Sequence, residues 1–187
     1  SRVLFLVVEL CALPSRRDDF DRSNIIATAL FGDGAAGAIV SSDGDGPVFG
    51  PSGEHTWPDS LGIMGWDVQD DGLKAIFAQS IPSLVERDLR VVFDDYLARN
   101  DRCVSSVDSF ACHPGGAKVL DALEDSLELQ RGSLEDSRAT LREFGNMSAA
   151  TALFVLQRMK SRLATQSTLL SALGPGFSAT FLMLDGQ

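Results

Sequence analysis

Short apolar runs alternate along this chain with segments whose apolar residues recur at helical spacing, and this alternation predicts a layered α/β domain. Residues 3–8 form an apolar run that Glu9 interrupts. The run is far shorter than the roughly 20 residues of a membrane-spanning helix and is typical of a buried strand. No small-residue cleavage site follows it, so a signal peptide is not expected. Because Ser1 leads directly into this strand, we expect the N-terminal part of a longer protein to be missing.

The charge balance and the cysteines exclude several classes of protein. The 187 residues are 44% hydrophobic and 22% charged, which fits one globular domain. A formal net charge of −10 makes the chain a poor candidate for coating nucleic acid or an anionic membrane, although it does not exclude a local basic entrance. Cys11, Cys103 and Cys112 contain no CxxC pair, and there are only two histidines. Neither a disulfide framework nor a metal site is therefore predicted, and a reducing cytoplasm is the expected location.

Turn residues and hydrophobic periodicity predict the order of the elements. The predicted strands lie at 3–8, in the glycine-rich segment ending at 40, near Val48 after a hairpin turn at 43–46, and at 63–68, 104–112, 168–173 and 177–184. Five helices are predicted, and the first is capped by Asn24 and ends at Leu30. The second follows a helical pattern from Leu73 onward, with Pro82 in its first turn or at a break just before it. The third is opened by Gly115 and Gly116, the fourth runs toward Phe144 after a capping box of Ser133 and Asp136, and the fifth spans 148–159. Residues 14–23 are a predicted surface loop. The helix at 148–159 is apolar nearly all round, which predicts that it is buried.

Two polar residues at predicted element ends are candidates for chemistry. His113 follows a predicted strand and precedes Pro114 and two glycines, and ligands of open α/β sheets usually bind at such carboxyl ends. Asn146 lies directly before the buried helix, where either it or Ser148 could be the helix cap. If Ser148 is the cap, His113 and Asn146 could offer two neutral donors to one oxyanion or enolate. The structural alternatives are a satisfied turn histidine and a capping asparagine.

Other residues invite weaker hypotheses. The glycines at 32, 34 and 37 lack the lysine of a phosphate loop and precede a strand, so nucleotide binding is not predicted. Glu9 is either a partnered buried carboxylate or an edge residue in water. Cys112 and His113 should point to opposite faces, which argues against a Cys–His nucleophile. Cys11 and Cys103 are predicted small core residues, and His55 is predicted to be exposed.

Several segments together resemble the C-terminal half of type III polyketide synthases, the chalcone and stilbene synthase family. They occur in the family's order, cover essentially the whole chain, and are VVELC at 7–11, ALFGDGAA at 29–36, HPGG at 113–116, GNMSAA at 145–150 and GPG at 174–176. No single segment is decisive, but the combination of HPGG, GNMS and GPG is highly specific.

The resemblance implies the C-terminal half of a thiolase-like α/β fold, with a mixed five-stranded sheet, helices and a buried central helix, in subunits that form homodimers. It also implies the activity: a starter acyl group moves from coenzyme A to a cysteine, malonyl-CoA loses CO2, and the enolate attacks the cysteine thioester. His113 and Asn146 match the family's catalytic histidine and asparagine. The positions that match the cavity lining are Phe31, the gatekeeper, together with Cys11, Ser148, Gly174, Pro175 and Gly176. No cofactor is implied beyond the coenzyme A thioesters that serve as substrates.

The chain also departs from the family pattern. The nucleophilic cysteine belongs to the N-terminal half, which residues 1–187 lack, so the chain alone is expected to be inactive. Ala75 stands near the place of a second gatekeeper phenylalanine, which would enlarge the pocket, and Ala172 and Leu173 replace the usual residues before GPG. Two alternatives remain: a ketoacyl-ACP synthase III relative that uses an acyl carrier protein, and a non-catalytic half-domain for dimerisation or scaffolding.

Overall fold

The computed structural model describes residues 1–13, 20–70 and 72–187. Its elements, in chain order, are β1 (Arg2–Leu10), α1 (Arg22–Leu30), β2 (Asp33–Ser41), β3 (Val48–Thr56), β4 (Met64–Gln69), β5 (Gly72–Phe77), α2 (Ile81–Leu84), a π-helical turn (Val85–Leu89), α3 (Arg90–Ala98), a 3-10 turn (Val104–Ser106), β6 (Ser109–Cys112), α4 (Ala117–Ser126), α5 (Glu135–Phe144), α6 (Ala149–Arg158), α7 (Lys160–Leu163), β7 (Ser167–Gly174) and β8 (Ser178–Asp185). Of the predicted loop at 14–23, residues 14–19 lie outside the described residues, and Arg22 already belongs to α1.

The main sheet is mixed, as predicted, but the described residues contribute four strands to it instead of the predicted five. Its strand order is β3-β8-β7-β6. Strands β6 and β7 are parallel, whereas β7–β8 and β3–β8 are antiparallel. The remaining described strands form two antiparallel ribbons, β1–β2 and β4–β5, which pair within themselves and do not extend the main sheet. Pairing therefore divides the described strands among three separate sheets. The prediction that residues 3–8 form a buried strand was wrong, because β1 lies in a ribbon outside the main sheet and its Leu4, Leu6 and Val8 are exposed.

The core lies between the main sheet and the helices that begin at Ile81. The predicted apolar face of this helical segment is buried at Val85, Leu89, Phe93 and Tyr96. The ring of Phe93 lies 5.8 Å from that of Phe181 on β8, measured between centroids. Burying such side chains contributes roughly 1.5–3 kcal/mol each. This layer belongs to the larger of the two hydrophobic clusters in the described chain.

Three local predictions were wrong at element boundaries. Residues 72–77 form a strand, because Gly72 adopts a φ of +131° that allows the turn between β4 and β5, and the helix begins only at Ile81. Asn24 lies inside α1, whose N-cap position is Asp21. The predicted strand at 104–112 is extended only over Ser109–Cys112, after a 3-10 turn.

A buried carboxylate replaces the predicted capping box at the start of α5. No side chain caps this helix through a hydrogen bond at its N-cap residue, Leu134. Instead, Oε1 of Glu124 accepts hydrogen bonds from the backbone N–H groups of Gly132 (3.1 Å) and Leu134 (3.2 Å). Arg138 Nη2 donates to Glu124 Oε2 at 2.8 Å. Burial alone would raise the pKa of Glu124, but the hydrogen bonds from Arg138, Leu134 and Gly132 lower it overall, so this carboxylate is a charged anchor for the loop.

The helix predicted to be buried, α6, is buried along one face only. Ala150, Thr151 and Val155 are buried, whereas Phe154 and Leu156 are half-buried. The buried face packs against α5, β6 and the β1–β2 ribbon. Within the ranges that the structure describes, none of the helices combines the length and the apolar character needed to cross a lipid bilayer.

Candidate active site

His113 follows the last residue of β6, as the sequence predicts. Its backbone N–H donates to the carbonyl of Ser171 on β7 at 2.8 Å, and its carbonyl accepts from the N–H of Gly115 at 3.0 Å. These bonds fix the main chain of His113 at the edge of the sheet. The residue as a whole is half-buried, and removal of water from around its imidazole lowers the pKa of the ring to about 4. The ring is therefore neutral at neutral pH.

Asn146 lies between α5 and α6, with its backbone hydrogen-bonded to the last residue of α1 and to Gly32 just after it. Its N–H donates to the carbonyl of Leu30 at 2.8 Å, and its carbonyl accepts from Gly32 at 3.0 Å. The residue is 5% exposed. Its Oδ1 accepts from the N–H of Ser148 at 2.9 Å, whereas Nδ2 makes only a long, 3.4 Å contact with the carbonyl of Gly115. The carboxamide oxygen of Asn146 therefore accepts a hydrogen bond at the start of α6, and its nitrogen remains able to donate one.

The first backbone N–H groups of α6 find acceptors other than the Ser148 hydroxyl. This residue is at the N-cap position, but its side chain makes no capping hydrogen bond. Its own N–H is taken by Asn146, and the N–H of Ala149 donates to Oε1 of Glu9 at 3.3 Å. Glu9 is half-buried and accepts this one bond, so it matches neither a fully buried carboxylate nor an unpartnered residue in water.

One cavity of about 530 Å³ brings the two candidate donors together. Its wall contains both His113 and Asn146, from segments far apart in the chain. The long contact between Asn146 Nδ2 and the carbonyl of Gly115 links the two segments directly. Of the other predicted lining residues, four are in the wall: Cys11, Phe31, Ser148 and Pro175. Gly174 and Gly176, also predicted to line the cavity, belong to the same turn but are not in its wall, whereas Pro175 is.

The β4–β5 ribbon supplies cavity residues that sequence reasoning missed. Trp66 lines the cavity and pairs with Ala75 across the ribbon. The ring of Phe31 lies 6.3 Å from that of Trp66 and 5.5 Å from that of Phe77. A side cavity of about 130 Å³ borders the large one and includes Cys11, Phe31, Trp66 and Ala75 in its wall. Correct assignment of residues 72–77 as a strand would have placed Trp66 opposite Ala75 from the sequence.

The three cysteines have different environments, and none is an activated thiolate in the cavity. Cys11 lines it, but burial and then the charges of Glu9 and Asp33 raise the pKa of the thiol. Cys112 is fully buried, which raises its pKa to about 11. Cys103 was predicted to be a core residue, yet it is exposed, because it precedes a surface 3-10 turn. Its pKa is lowered by a hydrogen bond with Ser105, but it is outside the cavity wall.

The prediction for the other histidine was wrong. His55 is half-buried, because its ring packs edge-on against Trp57 with centroids 4.7 Å apart. Neither histidine is therefore a freely solvated surface group, but His113 is the one in the cavity.

Comparison with known proteins identifies the family to which the chain belongs. The sequence model of the C-terminal domain of chalcone and stilbene synthases matches residues 52–185, which include His113, Asn146 and the Gly174–Gly176 turn. The chain belongs to the chalcone and stilbene synthase family. It is 35% identical over 197 residues to a putative chalcone synthase of Bacillus subtilis, covering 99% of this chain and 54% of that relative. It is 37% identical over 192 residues to a 1,3,6,8-tetrahydroxynaphthalene synthase of Streptomyces peucetius subsp. caesius, covering 97% of this chain and 50% of that relative.

Solved structures of the family share the fold. The 1,3,6,8-tetrahydroxynaphthalene synthase of Streptomyces coelicolor, a bacterial type III polyketide synthase, superposes with a TM-score of 0.90 at 27% identity, covering 100% of this chain and 55% of that one. PKS-I of the brown alga Ectocarpus siliculosus gives a TM-score of 0.86 at 23% identity, with 100% of this chain and 53% of that one covered, which shows the fold alone. The thiolase-like α/β fold is thus confirmed. The chain spans about half the length of these relatives and corresponds to the C-terminal half of a type III polyketide synthase.

Proposed function

We propose that residues 1–187 act as the C-terminal half of a synthase subunit that condenses malonyl-CoA onto an acyl-CoA-derived starter. The observation that carries the proposal is the presence of His113 and Asn146 in one cavity wall. An N-terminal half, outside this chain, would supply the nucleophilic cysteine that carries the starter. The chain alone would then be inactive, and the complete subunits would pair as a homodimer in the cytoplasm.

The proposed reaction is a decarboxylative Claisen condensation. The bond from the malonyl methylene to its carboxylate breaks, CO2 leaves, and the electron pair forms an enolate on the thioester. Donated hydrogen bonds from the His113 imidazole and Asn146 Nδ2 would stabilise the enolate oxygen. The enolate carbon then attacks the starter carbonyl, the carbon–sulfur bond breaks, and the cysteine leaves as a thiolate.

A neutral imidazole suits the first step. Its low pKa keeps the ring uncharged at neutral pH, so it would donate a hydrogen bond without offering a proton that could quench the carbanion. Each donor of this kind typically lowers a barrier by roughly 3 kcal/mol. A free cysteine thiolate beside the ring would raise this pKa, because the opposite charge favours the imidazolium form. The starter thioester that forms before decarboxylation carries no such charge, so the ring would be neutral at that step.

The remaining cavity residues would shape the substrate and product. Phe31, Cys11, Ser148 and the Gly174–Gly176 turn, acting through Pro175, are proposed to contact the starter and the growing chain. Ala75 leaves room at the side cavity that a phenylalanine would fill, which supports a pocket larger than that of a synthase with two gatekeeper phenylalanines.

The test is His113→Ala in the complete synthase, with release of labelled CO2 from malonyl-CoA as the measurement. Loss of the donor should lower the decarboxylation rate by roughly 100-fold or more while the protein stays folded. His55→Ala is the matched control, because that ring is half-buried outside the cavity. Decarboxylation by the His113 variant within a few-fold of wild type would remove His113 from the mechanism.

A parallel assay separates the proposal from a carrier-protein-dependent condensing enzyme. Malonyl-CoA and a malonyl acyl carrier protein are offered to the complete synthase at equal concentration. Turnover of the coenzyme A ester alone is the expected result. Turnover that requires the carrier protein would favour the ketoacyl-ACP synthase III alternative.

A further inference from the structure

A buried hydroxyl connects the two segments that carry His113 and Asn146. Ser137, on α5, is fully buried, and its Oγ donates to the carbonyl of Cys112 at 2.6 Å. Cys112 is the residue before His113, and α5 is the helix that leads through Gly145 into Asn146. This single hydrogen bond therefore joins the strand that ends at one proposed donor to the helix that precedes the other.

The position of β6 explains why this bond matters. It is the edge strand of the four-stranded sheet, with β7 as its neighbour. His113 directs its N–H toward β7, so by strand alternation the preceding carbonyl, that of Cys112, faces away from the sheet. Cys112 is fully buried, and a carbonyl there without a donor would be an unpaired buried acceptor. Ser137 is the side chain that supplies the donor.

A second buried hydroxyl on the same helix provides a contrast. Thr140 is also fully buried, but its Oγ1 donates to the carbonyl of Asp136 at 2.8 Å, one turn back in α5 itself. Its bond stays within one helix and fixes nothing outside it. Ser137 differs from Thr140 in reaching across to the strand.

We propose that Ser137 is a positioning residue for the decarboxylation step, setting the separation between the His113 imidazole and the Asn146 carboxamide without contacting substrate. The inference rests on the proposed function, since it assigns a purpose to the spacing of that donor pair. Ser137 does not line the cavity, so its effect must pass through the backbone. Two donors stabilise one enolate oxygen only when both reach it, and a displacement of about 1 Å can cost roughly 100-fold in rate.

The experiment compares Ser137→Ala with Thr140→Ala in the complete synthase. Ser137→Ala should lower kcat for malonyl-CoA decarboxylation roughly tenfold or more, with KM changed less than about twofold. Thr140→Ala should stay within about threefold of wild type in both constants. Ser137→Thr, which keeps a hydroxyl, should recover most of the lost kcat. If Ser137→Ala does not fold, Ser137→Cys, which keeps the volume and donates weakly, replaces it.

A second measurement does not depend on activity. Crystal structures of the wild-type synthase and the Ser137→Ala variant should differ by about 0.5 Å or more in the separation of the His113 and Asn146 side chains. An unchanged separation, an equal loss of kcat in the Ser137 and Thr140 variants, or a loss confined to KM would overturn the proposal. If the wild-type synthase does not decarboxylate malonyl-CoA at all, the proposed function fails, and the crystal structures still decide whether Ser137 sets the spacing.

Discussion

The β1–β2 ribbon and the four-stranded sheet use similar side chains in opposite environments. In the sheet, Leu169 and Met183 are fully buried. In the ribbon, Leu4, Leu6 and Val8 are 62%, 66% and 68% exposed. These three alternate along β1 on one face, so the exposure is continuous and not a set of isolated surface residues.

The difference lies in what covers each surface. Helices that begin at Ile81 pack on the sheet, whereas the ribbon contacts α6 on one side. A contiguous apolar surface of this kind is typical of a protein interface. The cavity borders both regions, since Glu9 and Cys11 come from the end of the ribbon and His113 comes from the sheet. The sheet thus holds the backbone of His113, while the ribbon offers a surface that the cysteine-bearing half of the proposed synthase would cover.

The strongest test of this contrast is one substitution made in both regions. Phe93→Ala, in the packed layer, should reduce the free energy of unfolding by about 3–5 kcal/mol, because it leaves a cavity beside the buried rings of Phe110 and Phe181. Phe5→Ala, at a ribbon side chain that is 51% exposed, should cost no more than about 1 kcal/mol. Denaturant titration of this chain at low protein concentration gives both values. Equal losses would show that the two regions are packed alike.

The pH dependence of stability sharpens the contrast at the site itself. The folded His113 imidazole has a pKa of about 4, below the value near 6.5 of an unfolded histidine. The unfolded state therefore binds more protons between these values, so stability should fall by on the order of 3 kcal/mol as pH drops from about 6.5 to about 4. His113→Gln should remove this part of the slope.

Denaturant midpoints at several pH values measure the effect. Carboxylates that titrate in the same pH range contribute equally to wild type and variant, so their contribution cancels in the difference between the two. His55→Gln is the matched histidine control and should keep the full slope, because it leaves the His113 ring in place. An identical slope in wild type and His113→Gln would mean that the imidazole is well solvated in the folded chain.

The smallest effect on unfolding, but a clear effect on association, is expected in the ribbon. The isolated chain should self-associate, because its exposed apolar face is larger than monomers usually tolerate. Leu4→Glu with Leu6→Glu should shift light scattering toward the monomer while changing the unfolding free energy by about 0.5 kcal/mol or less. Val91→Glu, at a 72% exposed position on α3, is the control and should leave association unchanged. A clean wild-type monomer at high concentration would contradict the ribbon's assignment as an interface.

Local sequence patterns predicted the structure correctly where a single helix or strand buries one apolar face. The helical spacing after Ile81 gave the correct buried face, and both final strands were predicted within about a residue or two of their ends. Local sequence patterns failed where a residue outside the element makes the contact that decides its structure. Glu124, several residues away, satisfies the start of α5 in place of the predicted capping box. Residues 72–77 pair with β4, and this pairing overrides their helical pattern.

The sequence by itself determined the α/β class, the family resemblance and the identity of the proposed site residues, because these depend on residue types in fixed local order. Only the tertiary structure decided that His113 and Asn146 share a cavity, that Pro175 is the part of its turn in the wall, and that four strands form the main sheet. It also decided that Ser137 reaches the Cys112 carbonyl. The physical reason is that periodicity and turn chemistry act between near neighbours, whereas strand pairing and buried hydrogen bonds join residues whose separation along the chain carries no local signal.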